Sequence, residues 1–378
     1  MFKSVYLDNA ATTVVYREAA EKAFEMMTHN FGNPSSLHTM GVKAEQMVDA
    51  ARRQVASLIG CRAGSIIFTS GGTEANNLAL FGAVEARKRA GRHIVTTAVE
   101  HSSVTTVCDE LEGNGYEITR LVPDKNGCIP PLQVADACRE DTVLVSIMSV
   151  NNENGAHFPI EEIVPAVRRA APGALIHCDG VQAAGKLSIN ATSMDVDLLT
   201  LSAHKIHGPK GCGALYIKKG VRILPRALGG GHERGLRAGT EAVPLIAAFG
   251  VAAENIPPPT EQQKIYASLR QRLADGVAKR DDVVWLSPDN AVSYIVNLSI
   301  PGLRSEIMLH YFAENGVYIS SGSACSKGKK SHVLTALGLP DRVIDSSIRV
   351  SFSHTNTIHD VDRFLEVLEQ ATTSLIKR

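Results

Sequence analysis

Two stretches of the sequence gather side chains that could make and break covalent bonds. Ser202-Ala203-His204-Lys205-Ile206-His207-Gly208-Pro209-Lys210-Gly211 packs two lysines, two histidines and a hydroxyl into a glycine-bracketed loop after the apolar run 196–201. A lysine is by default a solvated surface charge. At the end of a strand in a buried sheet, desolvation lowers its pKa and leaves an amine able to form a Schiff base. Lys205 is the better placed of the two, because Lys210 lies further along, between Pro209 and Gly211. The second stretch, Ser320-Ser321-Gly322-Ser323-Ala324-Cys325-Ser326-Lys327-Gly328-Lys329-Lys330, surrounds one cysteine with small residues and follows it with lysines. Positive charge on an exposed loop favours the thiolate, so Cys325 could be a nucleophile. A linker with an incidental cysteine is the plain alternative.

Such groups need others to hold a ligand against them. Thr69-Ser70-Gly71-Gly72-Thr73-Glu74 follows a strand-like run and opens a helix. Its glycines let backbone approach a ligand, and the N–H groups of a first helical turn suit a phosphate. A tight turn with a threonine cap accounts for the same residues. Asp179 ends another apolar run, where a carboxylate can cap a helix, bind a metal or pair with a cation. No His/Asp/Glu cluster at metal-ligand spacing accompanies it. The Walker pattern G-x-x-x-x-G-K-[ST] is absent, as is G-x-G-x-x-G after a strand, so nucleotide hydrolysis and nicotinamide chemistry lose their main support.

The elements that must position these residues are legible around them. Strand-like runs at 66–69, 93–96, 116–121, 143–147, 175–178, 196–201 and 214–217 alternate with helical periodicity at 73–89, 102–113, 132–139 and 160–171. Strands rich in Val, Ile and Leu between helices predict an α/β fold with a mainly parallel seven-stranded sheet covered on both faces. In such sheets ligands gather at the carboxyl ends of the strands, where these clusters fall. The pattern stops at Ile256-Pro257-Pro258-Pro259, which favours extended backbone and marks a boundary. Beyond it, helices at 260–279, 304–314, 331–337 and from 358, with strands at 294–299, 317–320 and 347–351, predict a smaller α+β domain.

A length of 378 residues suits two domains. The 39 basic and 39 acidic side chains cancel, without the basic footprint that a nucleic-acid or acidic-membrane partner requires. Small molecules and other proteins remain as partners. Seven cysteines, an odd number with no C-x-x-C pair, give little support for a disulfide framework or a metal site. Apart from Cys325 they read as small buried hydrophobes. Residues 1–8 lack the apolar stretch of a secretory signal, and the runs 142–150 and 243–253 fall short of the roughly 20 residues that span a bilayer. A cytoplasmic protein is expected.

Together the clusters resemble the pyridoxal-phosphate (PLP)-dependent cysteine desulfurases of the NifS/IscS type, in the class whose catalytic cysteine lies in an S-S-G-S-A-C loop. The resemblance runs from Tyr6-Leu7-Asp8-Asn9-Ala10-Ala11-Thr12-Thr13 to Ser346-Ser347-Ile348-Arg349. Between them lie Phe31-Gly32-Asn33-Pro34-Ser35-Ser36, Glu100-His101, Val150-Asn151-Asn152-Glu153, His177-Cys178-Asp179, Ser202-Ala203-His204-Lys205 and Arg237-Ala238-Gly239-Thr240, in the family's order and spacing. It implies a fold-type-I homodimer of the class V aminotransferase superfamily. A large PLP-binding domain would span 13–254, and a small domain made of 1–12 and 255–378 would carry the cysteine loop.

On that pattern Lys205 would hold PLP as an imine, His101 would stack on its ring and Asp179 would pair with the pyridinium nitrogen. Gln182 and Asn152 would approach the ring oxygen and the substrate. Gly72, Thr73, Ser202 and His204 would hold the phosphate, with Thr240 reaching it from the other subunit. Arg349 would bind the substrate carboxylate as a bidentate pair, helped by Asn33. L-cysteine would become L-alanine, leaving a persulfide on Cys325 for an iron–sulfur scaffold or a thiolation enzyme. Lys327, Lys329 and Lys330 after the cysteine, and an end at Arg378 without the tail that housekeeping members use to grip the scaffold, leave the acceptor open. A selenocysteine lyase or another class V aminotransferase would keep Lys205 and Asp179, but an aminotransferase has no need of Cys325. A non-catalytic sulfur carrier would bind no chromophore.

Overall fold

The computed structural model describes residues 4–124, 126–321 and 330–375. Seven strands form one sheet, in the spatial order Ile66–Thr69, Gly213–Ile217, Leu198–Ser202, Leu175–Asp179, Thr142–Met148, His93–Thr97 and Glu117–Leu121. Gly213–Ile217 runs antiparallel to both neighbours, and the remaining pairs are parallel. The mainly parallel sheet expected from the sequence is therefore present, with one reversed strand inside it. Every strand but the edge strand Glu117–Leu121 is buried along its whole length.

Alternate side chains of a strand point to opposite faces, and here they feed two separate cores. Phe68, Val95, Val145 and Leu199 pack with Val48 and Val55 of the helix Thr39–Leu58, Ile163 of Ile160–Ala170 and Phe249 of Val243–Asn255. Ile67, Ile94, Leu144 and Leu198 pack on the other side with Leu78 of the helix Gly72–Arg87 and Val107 of Ser102–Gly113. Arg17–Thr28 and Thr39–Leu58 lie in a stretch for which the sequence suggested no elements. In Thr39–Leu58 much of the buried face is Gly41, Ala44, Ala51 and Ala56, which blunts the apolar periodicity.

A second, antiparallel sheet has the order Ser320–Ser321, Ser347–Ser351, Ile295–Ser299 and Val284–Trp285. The helices Pro259–Val277, Ser305–Glu314 and Ile358–Ser374 supply its core. The triple proline does separate the two sheets, yet its last member opens a helix instead of blocking one. Pro259 occupies the first turn, where a missing N–H costs nothing. The N-terminal segment joins this second core: Val5 and Tyr6 pair with Val317 and Tyr318, and Ser351 N–H donates to Leu7 O at 2.7 Å. Among the described residues no helix is long and apolar enough to cross a membrane.

Candidate active site

The strand Leu198–Ser202 ends in a single tight turn, Ala203–Lys205, which lifts Lys205 off the end of the sheet. The turn is drawn close by Gly208, whose N–H donates to Ala203 O at 2.9 Å. A Cβ on Gly208 would sit 2.9 Å from both the Cβ and the carbonyl oxygen of Ala203. Lys205 Nζ then reaches across to the N-terminal segment and donates to Ala10 O at 2.6 Å and Ala11 O at 2.7 Å. Lys210 is exposed.

Around that amine lies a cleft of about 440 Å³. It is lined by Gly72, Thr73, His101, Asn152, Asp179, Gln182, Ser202, His204, Lys205 and Arg349, ten of the residues singled out in the sequence. Asp179 is 6% exposed at the end of its strand, held by Asn76 Nδ2 at 2.8 Å and by Val181 N–H at 3.0 Å. Asn76 also donates to Ser103 Oγ at 2.8 Å, and Ser103 Oγ lies 2.8 Å from His101 Nδ1. Ser103 N–H donates to the same Nδ1 at 3.1 Å, which leaves the proton of a neutral ring on Nε2. Burial holds the His101 pKa below its usual value, aided by the positive charge of Lys205 and by His332, against the pull of Asp179. One chain of hydrogen bonds thus ties the carboxylate of Asp179 to the imidazole of His101.

The other end of the cleft is cationic. Arg349, on the strand Ser347–Ser351, donates through Nη1 to Asn152 O and through Nη2 to Asp8 Oδ1, both at 2.8 Å. Its Nε is buried without a partner among the described residues. Gln182 Nε2 donates at 2.9 Å to Ala10 O, the carbonyl that Lys205 also uses. His204 is neutral at physiological pH, since burial, with Lys205, Lys210 and Lys186 nearby, pulls its pKa to about 4. Beside it, the helix Gly72–Arg87 turns its N-terminus to the cleft with first-turn N–H groups that no helical carbonyl can satisfy.

Two expected residues are not brought in. Asn33 is exposed and turns its side-chain oxygen to Ser35 N–H at 2.9 Å. Thr240 is exposed as well, and neither lines the cleft of this chain. Cys325 lies outside the described residues. The other six cysteines divide evenly: Cys108, Cys178 and Cys212 are buried as expected, whereas Cys61, Cys128 and Cys138 are only half-buried. Sequence reasoning missed Asn76, Ser103, Ser331 and His332, all of which line the cleft. Asn76 was within reach, four residues after Gly72 and so on the same helix face. Nothing in the sequence marks the carbonyls of Ala10 and Ala11 as partners of Lys205.

The aminotransferase class-V family matches residues 5–364. The cysteine desulfurase IscS of Methanosarcina thermophila is 41% identical over 377 residues, covering 99% of this chain and 93% of that protein. Among solved structures, a NifS-like protein superposes with a TM-score of 0.93 at 34% identity, covering 99% of this chain and all of the other. SspA, solved in complex with cysteine, gives a TM-score of 0.83 at 34% identity over 94% of this chain and all of its own. The architecture is that of the fold-type-I enzymes, as the resemblance implied. With a full-length family match, and sequence relatives as close as these, the chain belongs to the class-V aminotransferases and, within them, to the cysteine desulfurases.

Proposed function

We propose that this chain converts L-cysteine to L-alanine with PLP as cofactor and leaves the sulfur on Cys325 for a sulfur-acceptor protein. The observation that carries this is the meeting of Lys205 Nζ, buried Asp179 and Arg349 in one cleft. The residues present fit PLP. Asp179, fixed by two donors, suits a protonated pyridine nitrogen. The first turn of Gly72–Arg87, with Thr73, Ser202 and His204, suits a phosphate. A side chain on Gly72 would crowd Val181 at 3.0 Å, so glycine keeps that seat open.

When bound, PLP would supply an electron sink for the bonds at the substrate α-carbon. Lys205 would hold the cofactor and would move the substrate α-proton on Nζ. His101 would lie against the ring, and Gln182 and Asn152 would meet its oxygen and the substrate. Arg349 binds the substrate carboxylate with the N–H groups left over from Asp8 and Asn152, in the planar geometry that carboxylates favour. The Cys325 thiolate attacks the substrate sulfur: an S–S bond forms and the S–Cβ bond breaks. The electron pair of the broken bond stays with carbon, which takes up a proton on the way to alanine.

The two sheets, one on each side of the triple proline, support a division into a large part, 13–254, and a small part made of 1–12 and 255–378. We place the enzyme in the cytoplasm, with all six described cysteines unpaired as a reducing compartment requires. It acts as a homodimer in which Thr240 serves the partner's cleft. The acceptor is an iron–sulfur scaffold or a thiolation enzyme. Mass spectrometry after incubation with L-cysteine tests the reading. One sulfur gained on the peptide containing Cys325, with alanine released, is expected; alanine formed equally by Cys325→Ala would overturn it.

A further inference from the structure

Lys186 lies behind the cleft and takes no part in the chemistry assigned to Lys205. It is 4% exposed, and no ion pair joins it to a carboxylate among the described residues. Its Nζ sits 5.0 Å from the centroid of the Tyr294 ring and 3.4 Å from Gln182 Oε1. The charges acting on it are those of Lys205, from the turn after Leu198–Ser202, and of Arg349, from Ser347–Ser351, both positive. His204 and His207 feel its charge in turn. A buried ammonium with no counter-charge is costly. Burial first, then the two cations, bring its pKa down to about 7. Such a group is retained at a cost to stability, which points to use.

Gln182 shows what the use is. A side-chain amide presents either its oxygen or its nitrogen to a given neighbour. With Oε1 toward Lys186, Nε2 must face the other way, where it donates to Ala10 O at 2.9 Å. Lys205 Nζ donates to that same carbonyl at 2.6 Å. The Tyr294 hydroxyl donates to Gln182 O at 2.9 Å, so the ring that seats Lys186 also pins the Gln182 backbone. The run from Lys186 through Gln182 and Ala10 ends on the reactive amine.

We propose that Lys186 is a positioning residue for Lys205: it turns the Gln182 amide donor-first toward the cleft. Lys186 acts so only if the cleft is a PLP site, as proposed. The test uses the holoenzyme reconstituted with PLP and follows the absorbance of the Lys205-bound cofactor against pH. Lys186→Met keeps the length and the apolar stem but has neither charge nor donor. Loss of the neighbouring cation and loss of the oriented Gln182 donor both favour the protonated chromophore. The titration midpoint is expected to rise by about one pH unit. A merely structural role would lower the melting temperature and leave the midpoint in place. If Lys186→Met does not fold, Lys186→Gln removes the charge while staying polar and carries the same expected direction. A wild-type chain that takes up no PLP overturns the proposed function and this inference with it. A wild type that titrates, beside a folded variant with an unmoved midpoint, overturns the inference alone.

Discussion

Glu100 precedes the cleft-lining His101 and is wholly buried, with Oε1 accepting from the Thr97 hydroxyl at 2.8 Å and from Met148 N–H at 2.9 Å. Its Oε2 has no partner among the described residues. Burial, with the nearby charge of Asp179, pushes its pKa from 4.5 to about 8, and the two hydrogen bonds only partly oppose this. The folded chain therefore holds a proton that the unfolded chain has released between those values. The stability this contributes is complete below the unfolded pKa and is lost as pH rises through about 8. Glu100→Gln keeps the acceptor at Oε1 and cannot ionise. Its melting temperature should match the wild type in mild acid, exceed it increasingly up to about pH 8 and keep a constant lead above that. Thermal scans across that range check the sign; a lead that does not grow with pH rules out the buried, protonated acid.

At the scale of elements, the cleft depends on Gly213. It opens the reversed strand and pairs with Thr69 on one side and Ser202 on the other, the two residues from which the turn into Gly72–Arg87 and the Lys205 turn depart. A Cβ there would stand 2.6 Å from Gly71 C and 2.7 Å from Leu201 O, backbone atoms that can shift only at a cost. Gly213→Ala should cost about 1–3 kcal/mol by overpacking and displace Gly71, next to the cleft-lining Gly72. A lower denaturation midpoint together with weaker PLP uptake is the expected pair of results; weaker uptake at unchanged stability would place the defect elsewhere. Nothing about Gly213 was legible in the sequence, since its constraint comes from strands more than a hundred residues apart. The sheet itself was legible, because strands buried on both faces read as mostly apolar runs, as Thr142–Met148 does with only Thr142 and Ser146 polar. The lysine and aspartate at its strand ends stood out by type. Asn76 and Lys186 did not, because an amide or an amine gains meaning only from the carboxylate or carbonyl that tertiary structure brings beside it.

For the whole molecule, the proposed homodimer requires a surface that meets a second copy. Asn33 and Thr240 lie away from this chain's cleft, and the segments that bear them flank one hollow lined by Pro34, Ser35, His232 and Glu241. Around it Phe31 is 66% exposed, Leu228 84% and Leu37 99%, an apolar surface that a lone soluble chain rarely leaves uncovered. If that face packs on its symmetry mate, each cleft takes Lys205 from one subunit and Thr240 from the other. Lys205→Ala removes the reactive amine, and Thr240→Glu sets a negative charge against the phosphate, so each homodimer should be inactive or nearly so. Mixed after mild dissociation, half of the dimers pair unlike chains. Each of these has one cleft carrying both defects and one carrying neither, so the mixture should regain about a quarter of wild-type activity. Native mass spectrometry confirms that mixed dimers have formed. Mixed dimers without recovered activity would mean that each cleft is complete within one chain, and Thr240 would lose its role.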